Sequence, residues 1–505
     1  MNSARSEQAR AWLYAAVIVA VILLAAVFAV YIALRPAEEE RSLPQESAAL
    51  LSASADLDTI RISAVLNADK KTLDVTQTML LRNRTGQEQD AVVLRSWSGA
   101  YWAERTSPAA TEALLNSCYG GTFESGGLSM TSAAIGGENV TWEYLDDALT
   151  VLSLPTYWAA NEVCEVTLVY TVHIPDCAGR LGYSGGVYAL GNVFPVPAVW
   201  SDGAWRTDEY ASVGEPFVSE CANWEVTVSV PDGYTVAASG FAAADVHQST
   251  ATYVFSSHGV RDFALIIREK SASAQVMSEG VLITAYAASS ASAQTIADTA
   301  KKAVSAYASR YGAYPYPTLT LCETNLPFDG TSYPRLSMLS SDVIASGGET
   351  LEAAVAFETA HQWWSTVVGS DGFNAPWQDE SLCEYAVLDY WGDVYGESAR
   401  QSRLFNRVET SLRVSVSETL TPGSPIDYFS DWSTYSVIVR QRGAALWTAL
   451  ESFLGREELQ SALQAYYAQY SFRNASRSDL ETVLSDAAGQ DLSALFDDYL
   501  DTRMN

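Results

Sequence analysis

The sequence predicts an α+β multidomain protein. It has an apolar N-terminal segment, a large antiparallel β region, and a C-terminal half that runs from mixed α/β to mostly helical. Three observations carry this. Ala11 to Leu34 is uncharged over 24 residues. From about Leu57 to Lys270, apolar and polar residues alternate with period two, as in half-buried strands. Beyond about Gly280 the texture becomes helical, with caps and glycine stops. At 505 residues and 48% hydrophobic, the chain can bury a sizeable core. Its 60 acidic against 30 basic residues, net −30, argue against a nucleic-acid partner, whose phosphates need a basic face.

Residues 1–35 read as a cytoplasmic tail and a transmembrane anchor. At ~1.5 Å per residue the apolar run covers ~36 Å, enough to cross a ~30 Å hydrocarbon core. Trp12, Tyr14 and Tyr31 lie near its ends, where interfacial aromatics belong. A signal peptide would have an apolar region of only ~7–15 residues and a cleavage site. Arg5 and Arg10 on one flank balance Arg35 and Arg41 on the other. The expected orientation is tail inside and large domain outside, a single-pass protein of the cell membrane. Residues 36–56, acidic and rich in Ser and Ala, read as a linker.

Residues 57–278 form the predicted β domain. Its strands include Ile60–Val65, Leu73–Leu80, Val163–Tyr170 and Trp224–Val230, separated by turns such as Asn67-Ala68-Asp69 and Pro231-Asp232-Gly233. Residues 279–505 form the second domain. It opens with a helix over Ala291–Tyr311 and a short strand over Tyr316–Leu321, and is helical beyond Glu349, with a cap at Ser478-Asp479 and stops at Gly455 and Gly489. None of the six cysteines forms a C-x-x-C pair, which argues against a zinc ribbon or a thioredoxin-type site, and fifteen disulfide pairings stay open.

The chain has four histidines: His173, His247, His258 and His361. His361 lies on a predicted helix over Leu351–Thr366, in Phe357-Glu358-Thr359-Ala360-His361. This is one residue away from H-E-x-x-H, whose two histidines share a helix face and grip zinc while the Glu acts as general base. After eighteen intervening residues comes Glu380, in Trp377-Gln378-Asp379-Glu380.

These residues, with Ala360-His361-Gln362-Trp363-Trp364 and Tyr311-Gly312-Ala313-Tyr314-Pro315-Tyr316-Pro317, resemble the aminopeptidase N family of gluzincin zinc metallopeptidases. The β region, with Asn223-Trp224-Glu225-Val226-Thr227 and Val260-Arg261-Asp262-Phe263-Ala264, is similar to that family's saddle-like N-terminal domain. The resemblance implies a thermolysin-like catalytic-type domain after it and zinc as cofactor. It implies His361 and Glu380 as zinc ligands and Glu358 as general base. Gly330-Thr331-Ser332-Tyr333-Pro334 resembles the substrate loop, which places Gly330, Ser332 and Tyr333 at bound peptide. Arg442-Gly443-Ala444-Ala445-Leu446 resembles the start of the helix that follows the family's catalytic tyrosine.

Three positions depart from the pattern. Phe357 stands at the first metal-ligand position and has no donor atom. Ser332 replaces the Glu that holds a peptide's α-amine. Arg440 replaces the tyrosine that donates to the oxyanion, and Tyr435 is the nearest phenol. The sequence therefore predicts a membrane-anchored, catalytically impaired homologue, a pseudoenzyme that binds zinc weakly or not at all. It would take peptides or partner proteins in the cleft. The rivals are an active zinc aminopeptidase with a reduced ligand set, in which Cys383 could serve as a surrogate ligand, and a purely structural surface subunit. On sequence alone, Phe357→His should raise zinc occupancy sharply.

Overall fold

The computed structural model describes residues 45–502 apart from 109, 110, 248, 249, 270 and 418. The predicted anchor and the linker up to Pro44 therefore lie outside the described residues. Among those described, no helix is long and apolar enough to cross a membrane.

Alternation in sequence becomes alternation of burial. In Asp58–Asn67 (β1), Ile60, Ile62, Ala64 and Leu66 point inward while Arg61, Ser63 and Val65 face solvent. The strand belongs to an eight-stranded sheet with Thr72–Arg82 (β2), Gly127–Ile135 (β3), Glu138–Val140 (β4), Val163–His173 (β5), Ala222–Pro231 (β6), Phe241–His247 (β7) and Thr250–Val260 (β8). The spatial order is β7-β8-β6-β1-β2-β5-β3-β4. The sheet is not wholly antiparallel as expected, because β1 and β6 run parallel, with Ile60 opposite Trp224. Their connection covers more than 150 residues, so no hairpin turn could announce the pairing.

A mixed five-stranded sheet follows, built from Ala272–Ser278 (β9), Val281–Ala287 (β10), Thr318–Thr324 (β11), Gly330–Tyr333 (β12) and Leu336–Ser340 (β13). Its order is β9-β10-β11-β13-β12, which leaves β12 at an edge. Ser290–Tyr311 (α1) lies along β9 and β10, capped by the Ser289 side chain. It buries Ala293, Ile296, Ala297, Ala300, Ala303, Val304, Tyr307 and Tyr311, the spacing of one helix face.

Gly348–Ala360 (α2) packs against the edge strand β12. It stops at Ala360, six residues short of the predicted end. The N–H groups of Trp363 and Trp364 both donate to Ala360 O, at 2.9 and 3.1 Å. Trp363 and Trp364 are both buried, Trp363 against Tyr307 and Tyr314, Trp364 against Tyr311 and Tyr466. Both rings are seated after the chain has left the helix. Trp377–Tyr395 (α3) follows, then a short helix Trp432–Tyr435 (α4), a π-helical stretch Ser436–Arg442 and Ala444–Leu454 (α5). Gly455 and Gly489 end helices as predicted. The last capping box is formed by Ser476 with Asp479, so the cap lies two residues before the predicted Ser478.

Within the segment read as linker, Ala48–Ala53 forms a helix with Leu50 buried. Glu46 pairs with Arg335 at 2.6 Å and with His258 at 2.5 Å, which ties this end to the folded body. The described residues from Glu46 onward form one compact unit. All six cysteines are free thiols.

Candidate active site

The last turn of α2, the first turn of α3 and the edge strand β12 converge with the stretch that ends in Arg442. This brings together Phe357, Glu358, His361, Glu380, Ser332, Tyr435 and Arg440, residues up to 108 positions apart in the sequence. Glu358, His361 and Glu380 are each no more than 3% exposed. His361 Nε2 lies 3.7 Å from Glu380 Oε2. Two tetrahedral ligands of one zinc would leave a similar gap of ~3.4 Å.

Ser332 is tied to Glu358. Its hydroxyl donates to Glu358 Oε2 at 2.7 Å and lies 2.9 Å from Ser337 Oγ. Gly330 passes so close that a β-carbon there would stand 2.7 Å from Glu358 Oε1. Tyr333 turns toward the β region, where its hydroxyl donates to Asn192 Oδ1 at 2.9 Å.

Arg440 sits on Glu380. Its Nε lies 2.7 Å from Glu380 Oε2, and its Nη2 donates to Oε1 at 3.3 Å. The guanidinium carbon stands 4.5 Å from the centre of the Phe357 ring, a cation–π arrangement. The Phe357 ring also meets the His361 imidazole edge-on at 4.9 Å. Tyr435 donates to Glu380 Oε1 at 3.0 Å. Both groups the sequence set near the oxyanion position are thus engaged by the Glu380 carboxylate.

The environment separates the carboxyls. Burial pushes Glu358 up to about 7, against the pull of His361 and Arg440. Burial also raises Asp379 to about 7. At Glu380 burial works the same way, but Arg440 and His361 outweigh it and hold the group low. Burial disfavours a charged His361, while Cys383 and Glu380 beside it hold its pKa above the usual value.

The β region supplies residues the sequence did not single out. Glu215 accepts from Thr331 Oγ1 and lies 3.3 Å from Arg180 Nη2. Asp262 accepts from Asn192 Nδ2 at 2.6 Å and from the Phe263 N–H at 2.6 Å. With Ser332, Tyr333 and Asp379 these line a cavity of about 60 Å³. A second hollow of about 310 Å³ lies beyond Glu358, lined by Phe357, Glu384, Arg403, Arg407 and Arg440. Asp262 lay within the Val260–Ala264 segment that resembles the family's β domain but had no role assigned to it, and the only signal for Glu215 was a charge inside a short apolar run.

The residues present do not fit zinc. Two donors remain, His361 and Glu380, and a catalytic zinc takes three protein ligands. The third position presents an aromatic ring, and Glu380 already carries a guanidinium. His361 Nδ1 is buried without a hydrogen-bond partner among the described residues, whereas a metal-bound histidine normally donates from that nitrogen. Cys383 Sγ is directed to Trp364 O at 3.8 Å, in the manner of a packed thiol.

Residues 333–499 match the peptidase family M1 domain. The chain is 24% identical over 203 residues to aminopeptidase M1-B of Oryza sativa, covering 37% of this chain and 23% of that protein. It is 26% identical over 174 residues to human endoplasmic reticulum aminopeptidase 2, covering 34% of this chain and 17% of that protein. The match thus spans about a fifth of these relatives' own length. The fold superposes on an M1 zinc metallopeptidase from Deinococcus radiodurans with a TM-score of 0.63 at 18% identity, over 88% of this chain and 94% of that one.

Proposed function

Since the chain belongs to the aminopeptidase N family of gluzincin peptidases, we propose that it is a catalytically impaired homologue that binds peptides or partner proteins in its cleft. The observation that carries this is Phe357. Its ring lies against His361 at the first ligand position and replaces a donor with an apolar wall. Ser332 strengthens the reading. Where the family offers a carboxylate to the peptide amine, its hydroxyl is consumed by Glu358. In this reading zinc is bound weakly or not at all. The β saddle spans 57–278, the thermolysin-like domain 279–505, and the 11–34 segment anchors both to the outer face of the membrane.

The test uses the purified full chain. Zinc is measured by elemental mass spectrometry, aminoacyl hydrolysis with and without chelator, and peptide binding by calorimetry. The expected result is well under 0.1 zinc per chain (an estimate from ligand loss), background hydrolysis and measurable peptide binding. Near-stoichiometric zinc with chelator-sensitive cleavage would replace this reading with the active enzyme.

A further inference from the structure

Glu380 is a fully buried carboxylate, and such a group needs a cation beside it or must give up its charge. In the zinc enzymes this fold resembles, that cation is the metal. Here three features that look like separate losses fit together. Arg440 comes from the π-helical stretch Ser436–Arg442, whose wide turn packs against α3. Its guanidinium meets both Glu380 oxygens, at 2.7 and 3.3 Å, and its side chain is 12% exposed. The face of Phe357 lies 4.5 Å beneath the guanidinium, and an imidazole in that place could not give the cation the same apolar support. Tyr435 completes the carboxylate's set of donors.

Building on the impaired-homologue reading, we infer that Arg440 is the resident cation of this site. Phe357 and Arg440 act as one unit that excludes a divalent metal. The missing third ligand is then only half of the obstacle. A zinc on Glu380 Oε2 would bond at ~2.0–2.2 Å. With Arg440 Nε 2.7 Å from the same oxygen, the two cations would lie within ~5 Å of each other, away from screening water. Phe357→His alone therefore should not load the site, contrary to what the sequence suggests on its own.

The experiment compares zinc content of the full-length chain in four forms: unaltered, Phe357→His, Phe357→His with Arg440→Gln, and Phe357→His with Arg440→Lys. Each is equilibrated with equal zinc and checked for a cooperative thermal melt. The expected result is a zinc-poor single variant, at least tenfold higher occupancy with Arg440→Gln, and continued exclusion with Arg440→Lys, which keeps the charge. Near-stoichiometric zinc in the Phe357→His single variant overturns the inference and leaves the impaired-homologue reading intact. A folded Arg440→Gln double variant that stays zinc-poor also overturns it. Should the Arg440→Gln variant not fold, the melt of the Phe357→His single variant decides. No upward shift with excess zinc is expected, and a clear shift refutes the inference, because a ligand bound only to the folded state must raise the melting temperature. Zinc in the unaltered chain, by contrast, would sink the parent reading.

Discussion

Helix α3 carries a buried carboxylate in its first turn, Glu380, and another nine residues on, Asp389. Each accepts a hydrogen bond from a buried tyrosine, Glu380 from Tyr435 at 3.0 Å and Asp389 from Tyr311 at 3.2 Å. Each faces arginine, but the supply differs. Among the described residues Glu380 has one arginine, Arg440, with His361 Nε2 at 3.7 Å. Asp389 has Arg456 at 2.9 Å, Arg400 at 3.3 Å and Arg310 at 3.6 Å, and these arginines are shared with Asp393, Glu397 and Glu451. Burial pushes Asp389 up in spite of three arginines, whereas Arg440 and His361 together hold Glu380 low. Part of the difference is place. The first turn of a helix favours an anion, and that advantage fades within a turn. The Asp389 cluster is a shared scaffold of arginines, and the cleft cluster offers Glu380 one arginine beside His361.

The largest expected effect tests that contrast. Arg440→Met removes the one arginine paired with Glu380 among the described residues and leaves a buried, poorly compensated carboxylate. The expected cost is ~3–5 kcal/mol by chemical denaturation at pH 7. Arg456→Ala beside Asp389 should cost ~1 kcal/mol or less, because Arg456 is about a third exposed and two arginines remain. Adding Glu380→Gln to Arg440→Met should recover much of the loss, since the pair is then removed together. Equal costs at the two carboxylates would break the comparison.

That contrast also marks where sequence reasoning reached and where it stopped. The strands of the β region and the long helix α1 announce themselves by period, and burial follows that period. The His361–Glu380 spacing and the three departures at Phe357, Ser332 and Arg440 were readable from motif alone. What those replacements bind was not. Arg440 reads as a poor substitute for an oxyanion donor, but it pairs with a carboxylate 60 residues upstream. No local pattern encodes a contact across that separation. The parallel β1–β6 pair and the Glu46–Arg335 bond were hidden for the same reason. The end of α2 depended on where two adjacent tryptophans find room, which is a property of packing.

A second prediction concerns a buried carboxyl with no arginine partner among the described residues. Asp262 is bonded to Asn192 and to the Phe263 N–H, and burial pushes it up to about 7. Its unfolded value lies near 3.8. Between these two values the folded state holds a proton that the unfolded state has released, so stability falls as pH rises from about 4 to about 7. By the size of the shift this is at most ~4 kcal/mol. Asp262→Asn removes the titration, so its stability should change less over that window than the unaltered chain's. Denaturation midpoints at pH 4, 5, 6, 7 and 8 read this directly, and parallel curves would show that Asp262 does not keep its proton.

The smallest effect sets the two tyrosines against each other. Tyr435 and Tyr311 are both 1% exposed, so truncation of either hydroxyl leaves a similar buried gap. A hydrogen bond to a charged acceptor is worth ~1.5–3 kcal/mol, one to a well-supplied acceptor less. Glu380 has few other donors, and Tyr435→Phe should cost ~2 kcal/mol. Asp389 keeps its arginines, and Tyr311→Phe should cost ~1 kcal/mol or less. Each can be measured as a shift in urea midpoint at unchanged slope. In the Arg440→Met background the gap should widen, because Tyr435 is then the principal remaining donor to Glu380 and coupled groups do not add. If Tyr435→Phe costs no more there than in the unaltered chain, Glu380 has given up its charge once Arg440 is gone. Glu380 would then behave like Asp262, whose pKa burial raises.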